Sequence, residues 1–130
     1  MAISYEFDEK ENIVYVTATG FLTSLDIMNY VEEWFQKINK PGVIELIDMN
    51  GVCDFLIQHS DVTKLVDRTK ESVFTRPAYS IFIASNMASK KISELLKVLI
   101  RQAEWNAFFY HSKQDAINAL GAIRAVLPRQ

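Results

Sequence analysis

The residues of this sequence that are best suited to chemistry lie in the stretch "LIDMNGVCDFLIQHSD", which runs from Leu46 to Asp61. Cys53 is the single cysteine of the chain, and His59 and Asp61 follow it. A thiolate nucleophile, a general base and an orienting carboxylate are built from these three residue types. Their spacing does not by itself bring the groups within hydrogen-bond reach, and a lone cysteine among apolar residues is typical of packing. The stretch is therefore compatible with an enzyme that uses Cys53 and His59, but it favours a protein that is not an enzyme.

The same stretch does not predict a metal site. His59 and His111 are far apart in the sequence, and there is no second cysteine. Asp48, Asp54 and Asp61 do not follow a calcium or zinc ligand spacing. We therefore expect neither a metal ion nor an organic cofactor.

A second polar stretch, "SNMASKK" at residues 85–91, precedes a predicted helix. Free backbone N–H groups at a helix start, with lysines close behind, are suited to an anionic group, although helix capping explains the same residue types. Because ligands collect outside the carboxyl ends of parallel strands, we expect this stretch to meet the predicted 49–60 loop. The predicted ligand- or partner-binding residues are Asn50, Cys53, Asp54, His59, Ser60, Ser85, Asn86, Ser89 and Lys90.

Apolar periodicity indicates which elements position these stretches. Residues 3–7 and 12–19 are rich in β-branched and aromatic side chains around a charged turn, which is typical of an antiparallel hairpin, and Gly20 is predicted to end it. From Thr23 or Ser24, either of which can cap a helix, apolar residues recur at helical spacing. Further strands are predicted over residues 43–48, 77–85 and 106–111, and further helices from Ser60, over residues 92–103 and from Ser112.

This order, β-β-α-β-α-β-α-β-α, predicts an α/β fold with a mainly parallel five-stranded sheet and an antiparallel N-terminal edge strand. Residues 1–130 are long enough for a single domain. The third strand is predicted to end at Asp48, Ser60 to cap the helix that follows, and Gly121 to end the last helix. The last helix is predicted to carry the apolar residues Ala116, Ile117 and Leu120.

Alternation within two strands indicates that one face of the sheet is only partly covered by helices. Val43, Glu45 and Ile47 share one face of the third strand, and Ile13, Tyr15, Thr17 and Thr19 share one face of the second. Parallel strands that are covered on both faces usually read as continuous apolar runs. The remaining surface is expected either to carry solvated polar groups or to be buried by a second copy of the chain.

The composition excludes some classes of function. The net charge is −2, so there is no basic field to attract nucleic acid. A single cysteine fits a reducing compartment, the N-terminus lacks the pattern of a signal peptide, and no apolar run approaches the roughly 20 residues that span a bilayer. We therefore expect a cytoplasmic protein without a transmembrane segment.

The order of elements and four segments resemble the SpoIIAA-like, or STAS-like, family of small bacterial proteins, and most of all its uncharacterised members. The segments are "GFLTSLDIMNYVEEW", "LIDMNGV", "IFIASNMASKKISELLKVLI" and "FFYHSKQDAINAL". The resemblance implies a fold of successive β-α units and, from the anti-sigma-factor antagonists of the family, a module that binds a partner kinase. In those proteins a serine after the third strand is phosphorylated. Here "CDFLIQHSD" stands in place of their Asp-Ser-Ser-Gly sequence, and Ser60 is its only serine and the phosphorylation candidate.

The sequence thus predicts a non-enzymatic regulatory or interaction module that binds a protein partner and forms a homodimer. Two alternatives remain open. A carrier of a small amphipathic ligand or lipid would need an apolar cavity between sheet and helices, and an enzyme would need Cys53 in contact with His59.

Overall fold

The computed structural model describes residues 2–38, 40–69, 77–85, 94, 97, 101 and 106–126. The strands are β1 (Ile3–Asp8), β2 (Ile13–Thr23), β3 (Ile44–Leu56), β4 (Tyr79–Ile83) and β5 (Ala107–Tyr110). The helices are α1 (Ser24–Glu33), α2 (His59–Thr69) and α3 (Lys113–Val126), and a π-helical turn, Trp34–Ile38, continues α1.

The five strands form one sheet in the order β1-β2-β3-β4-β5. β1 is antiparallel to β2, and every other neighbouring pair is parallel. The predicted fold class is therefore confirmed. The predicted helix over residues 92–103 lies outside the described residues, apart from Glu94, Lys97 and Arg101, which are helical.

The start of α1 follows from a capping box. The Thr23 hydroxyl accepts a hydrogen bond from the Asp26 backbone N–H, and the Asp26 carboxylate accepts one from the Thr23 backbone N–H at 3.0 Å. Two N–H groups that a helix start leaves unpaired are thereby satisfied. The predicted cap at Thr23 is confirmed, and the apolar stripe after it buries Val31, Trp34 and Ile38.

Two predicted strand ends are wrong. β2 continues past Gly20 to Thr23, and β3 continues past Asp48 to Leu56, with the two strands paired as far as Thr23 and Leu56. β4 ends at Ile83, opposite Asp48. Residues 19–23 and 51–56 therefore continue as a two-stranded segment beyond the end of β4, which we call the β2–β3 extension.

Irregular pairing explains why the extension was missed. The register shifts between Thr17 and Thr19 and again between Gly20 and Phe21. Gly20 has a φ of 71°, a value that glycine adopts without steric cost. Each shift inserts an unpaired residue, which breaks the alternation by which a strand is recognised in a sequence.

The core has two layers, one on each face of the sheet. The first layer packs the sheet against α1 and α2 and includes Val16, Leu65 and Phe82. The second layer packs the opposite face against α3 and includes Ile81 and Ala116. β3 contributes to both layers, because all of its residues from 44 to 47 are buried.

The last helix differs from its predicted form. Ser112 accepts a hydrogen bond from the Asp115 backbone N–H at 3.1 Å, so the predicted start is confirmed. Gly121 lies inside α3, which continues to Val126, so the predicted end is wrong. Of the three apolar residues predicted for this helix, Ala116 and Leu120 are buried against the sheet, whereas Ile117 is exposed.

On the sheet face opposite α1, the described part of the structure exposes several side chains of β1 and β2. Ser4 and Glu6 on β1 and Tyr15, Thr17 and Thr19 on β2 are exposed there. Glu45 does not belong to this polar surface. It lies on the buried face, beneath α1.

Candidate functional site

Asn50, on β3, forms hydrogen bonds with Ser85, which follows β4. The Asn50 side-chain oxygen accepts hydrogen bonds from the backbone N–H of Ser85, at 3.0 Å, and from the Ser85 hydroxyl. Asp48 accepts a hydrogen bond from the Asn50 backbone N–H at 3.0 Å. The structure thus brings Asn50 and Ser85 together. Asn86, Ser89 and Lys90 lie outside the described residues.

Cys53 and Asp54 lie farther along β3, in the β2–β3 extension. At the usual strand rise, Cys53 is about 10 Å past Asn50. The Cys53 side chain is exposed, with its sulfur 4.0 Å from the carbonyl oxygen of Gly51. The Asp54 carboxylate accepts a hydrogen bond from the Phe55 backbone N–H at 2.7 Å. Most of the predicted 49–60 loop is therefore strand.

The start of α2 holds the last two predicted site residues. His59 is the first residue of the helix and Ser60 the second. The predicted N-cap at Ser60 is therefore wrong, because the helix begins one residue earlier. Ser60 is exposed. The His59 side chain lies outside the described part of the structure, so its contact with Cys53 stays a prediction.

Large apolar side chains are exposed at the far end of the extension. Phe21 is 63% exposed, Leu25 68% and Leu56 57%. Leu56 pairs with Thr23, so Phe21 and Leu56 lie diagonally opposite each other on one face of adjacent strands. Leu25 lies in the first turn of α1. We call these three residues the apolar tip.

A buried carboxyl group lies between α1 and the sheet, and it was missed as a site residue. Glu45 is 1% exposed. One of its carboxyl oxygens accepts a hydrogen bond from the Tyr30 hydroxyl and the other from the Ser80 hydroxyl, at 2.7 Å. Within the described residues Glu45 makes no ion pair. The sequence contained a signal for the burial of Glu45, because Val43 and Ile47, which share its face of the strand, are core residues.

The surroundings of Glu45 change its proton affinity. Loss of hydration raises the pKa of Glu45 from 4.5 to about 7, although the hydrogen bonds from Tyr30 and Ser80 act in the opposite direction. Burial, together with the charge and hydrogen bond of Glu45, also raises the pKa of Tyr30 well above 10. The carboxyl group therefore titrates near neutral pH.

Two adjoining cavities lie under α1. The inner cavity, of about 70 Å³, is walled mainly by apolar side chains of β2, β3, α1 and α2, with Glu45 among its lining residues. The outer pocket, of about 80 Å³, lies between β1 and α1. Ile3 and Tyr30 line both. An engineered cavity of roughly 150 Å³ admits benzene, so the inner cavity has no room for a lipid chain.

Two further structural features bear on function. No helix in the described part of the chain is long and apolar enough to cross a bilayer. The acidic, histidine and cysteine side chains that the structure describes form no group of three that could hold a metal ion.

The element order and sheet pairing define an α/β protein of SpoIIAA-like fold. The chain is similar to an uncharacterized protein of the DUF3478 family with a SpoIIAA-like fold from Shewanella loihica PV-4, with a TM-score of 0.59 and 17% identity over 92% of this chain and 94% of that one. It is also similar to an anti-sigma factor antagonist from Mycobacterium paratuberculosis, with a TM-score of 0.54 and 12% identity over 92% and 94% of the two chains. The predicted SpoIIAA-like resemblance is confirmed at the level of the fold. No protein-family model and no curated protein matches the sequence.

Proposed function

We propose that this protein is a non-enzymatic regulatory module that binds a protein partner through the apolar tip. The observation that carries the proposal is the exposure of Phe21 and Leu56 on one face of the β2–β3 extension, with Leu25 exposed in the first turn of the helix that follows β2. Exposed apolar patches on a folded protein mark interaction surfaces, and a few large side chains at their centre supply most of the binding energy.

The fold indicates which partner to test first. One similar structure is that of an anti-sigma factor antagonist. At 12% identity this likeness concerns the fold, so the partner itself is part of the proposal. We propose a protein of the anti-sigma-factor class.

Phosphorylation of Ser60 would regulate this binding. Ser60 is exposed in the first turn of α2, four residues after Leu56 of the apolar tip. A phosphate adds a charge of about −2 at neutral pH, which a helix N-terminus tolerates but which disrupts an apolar or acidic interface nearby. We therefore expect phosphorylation to weaken the complex.

The binding experiment uses the whole chain and matched substitutions. An anti-sigma factor from the native host, purified on its own, is titrated calorimetrically with the wild type, Leu56→Ser and Tyr15→Ser. Tyr15 is 42% exposed on β2, remote from the apolar tip, and serves as the control. We expect Leu56→Ser to weaken binding by about tenfold, the loss of one central apolar side chain, and Tyr15→Ser to leave it unchanged.

Two outcomes would contradict the proposal. One is equal binding by the wild type, Leu56→Ser and Tyr15→Ser, which would show that the interface does not include the apolar tip. The other is a failure of every anti-sigma factor of the host to bind the wild type. For regulation, Ser60→Glu should weaken the same complex while Ser60→Ala does not.

The proposal includes a single domain in the cytoplasm that forms a homodimer. A second copy would bury part of the exposed apolar surface in the absence of the partner. Light scattering at high protein concentration should give twice the mass of one chain, and a strict monomer would remove the dimer from the proposal. Fractionation of host cells tests the compartment.

A further inference from the structure

The inner cavity under α1 has almost entirely apolar walls. Its lining residues come from β1, β2, β3, β4, α1 and α2, and all of them except Tyr30 and Glu45 are apolar. Many of these side chains are buried, among them Val16, Ala18 and Phe82. Apolar cavities in proteins stay dry and can hold small nonpolar molecules.

The volume of the inner cavity limits the size of such a molecule. At about 70 Å³ it has about half the volume of the roughly 150 Å³ cavity that admits benzene. A ligand must therefore be smaller than benzene, such as a xenon atom or a hydrocarbon of about three carbon atoms. The two polar groups of the wall, Tyr30 and Glu45, are hydrogen-bonded to each other, which leaves little for a polar ligand.

Glu45 makes the contents of the cavity depend on a proton. An ionised carboxylate can accept about four hydrogen bonds, whereas Tyr30 and Ser80 supply two. Water in the cavity can supply the others, and at about 30 Å³ for each molecule roughly two waters have room. A protonated carboxyl group has much less need of hydration. Water beside ionised Glu45 and a nonpolar molecule therefore compete for the same space.

Glu45 is also the group around this cavity that titrates near neutral pH. Burial raises its pKa to about 7. Tyr30, on α1, has a pKa raised well above 10 by burial and by Glu45, with a smaller contribution from Tyr5 on β1, so it stays neutral. Ser80, on β4, does not ionise in this range, and the side chains that β1, β2 and α2 contribute to the cavity are apolar.

We propose that the inner cavity is a binding site for a nonpolar molecule smaller than benzene, and that protonation of Glu45 favours its binding. The ligand occupies the space that water needs to hydrate the ionised carboxylate. Because such coupling is reciprocal, the bound ligand also favours the protonated form of Glu45. This site does not depend on the protein partner.

The test uses xenon as the probe and NMR of the protein labelled with ¹³C at its methyl groups. Spectra are recorded at increasing xenon pressure, at about pH 5.5 and about pH 8.5, on either side of the titration of Glu45. We expect saturable shifts at methyl groups that line the cavity, such as those of Ile27, Ile47 and Leu65. Binding should be about tenfold tighter at the lower pH, within the usual range for coupled sites.

The reciprocal effect is measured on Glu45 itself. The ¹³C shift of its side-chain carboxyl group is followed from acid to alkaline pH with and without xenon. A tenfold coupling corresponds to about one pH unit, so saturating xenon should move the midpoint upward by about that amount.

Variants assign the effects to the cavity and to Glu45. Glu45→Gln removes the ionisation, so xenon should bind it equally at both pH values. Glu6→Gln makes the same change on the exposed face of β1 and should keep the wild-type pH dependence. Ala18→Leu fills the cavity and should abolish the shifts, and Ile27→Phe fills it from α1 if Ala18→Leu does not fold.

Three results would overturn the proposal. The first is the absence of saturable methyl shifts in the wild type at both pH values. The second is equal xenon affinity of the wild type at both pH values, which would show a cavity that is not linked to the proton on Glu45. The third is unchanged xenon binding in a folded cavity-filling variant, which would place the xenon elsewhere.

Discussion

The Tyr30 hydroxyl, on α1, donates a hydrogen bond to the carboxyl group of Glu45, on the central strand β3. Ser80, the register partner of Glu45 on β4, donates the second hydrogen bond to the same group. Helix and sheet are therefore joined in the core through one carboxyl group that has no cationic partner among the described residues. Ionisation of that group in a dry environment is unfavourable.

The free energy of unfolding should fall as the pH rises from about 4.5 to about 7. At pH values below about 4.5, Glu45 is protonated in both the folded and the unfolded chain. Between pH 4.5 and about 7 the unfolded chain has released this proton and the folded chain still binds it, so the free energy of unfolding decreases with pH. At about 1.4 kcal/mol for each pH unit, the decrease amounts to roughly 3 kcal/mol. Urea unfolding at a series of pH values measures it.

Glu45→Gln removes the ionisation and keeps a polar side chain of the same size. We expect this variant to lose most of the pH dependence between about pH 4.5 and 7, whereas Glu6→Gln, on the exposed face of β1, keeps it. Both histidines are present in the wild type and in the two variants, so their contribution to the pH dependence cancels in the comparison. An unchanged pH profile in Glu45→Gln would show that Glu45 does not titrate near neutrality.

Two glycine substitutions should have opposite effects on stability. Gly20 has a φ of 71°, where an L side chain is strained, so Gly20→Ala should lower the free energy of unfolding by about 1–2 kcal/mol. Gly121 lies within α3, and an added Cβ would meet nothing within 4 Å. Gly121→Ala should therefore raise the free energy of unfolding by roughly 0.5–1 kcal/mol. Thermal unfolding measures the stability of the two variants. A Gly20→Ala variant as stable as the wild type would argue against the positive φ of Gly20 at the register shift.

The close approach of Thr19, on β2, leaves no room for a side chain at Gly51. A Cβ at this position would lie 2.8 Å from the Thr19 Cγ2 and 3.3 Å from the Ala18 carbonyl oxygen. Gly51→Ala should therefore cost about 1–3 kcal/mol, as overpacking does. Thr19→Ser removes the contacting methyl group, so the double variant should recover part of that loss. Additive effects in this double-mutant cycle would show that the two residues are not in contact.

The reactivity of Cys53 distinguishes a binding module from a thiol enzyme. The side chain is exposed, so a thiol reagent should label it in the folded protein. Reactive cysteines depend on a neighbouring group that stabilises the thiolate, so the effect of His59→Ala on the labelling rate tests for such a group. A rate faster than that of a free cysteine by about tenfold or more, lost in His59→Ala, would favour the enzyme instead.

Regular patterns made much of this fold predictable from sequence. The change from period 2 to helical spacing at Thr23 identified the start of α1, because Thr23 and Asp26 are also a capping pair. The hairpin of β1 and β2 and the start of α3 at Ser112 were found in the same way. Each of these features depends on residues that are close together in the sequence.

The features that were missed depend on contacts between distant segments. Asp48 looked like a strand end because the alternation fails after it, yet pairing with β2 keeps residues 51–56 in the sheet. The alternation around Glu45 indicated a partly covered sheet face, but Glu45 is buried and accepts hydrogen bonds from the Tyr30 and Ser80 hydroxyls on distant elements. By contrast, the proximity of Asn50 and Ser85 was predicted, because the carboxyl ends of parallel strands lie at the same edge of a sheet.

The β2–β3 extension has a consequence for aggregation. The described pairing of β3 with β4 ends at Asp48. Strand edges that no neighbour pairs with or covers are the kind of site that recruits foreign strands. Bulges and charged side chains are features by which proteins limit pairing at exposed strand edges, and the extension has both, in its register shifts and in Asp54. We therefore expect the irregularities that hide the extension in the sequence to lower its tendency to pair with foreign strands.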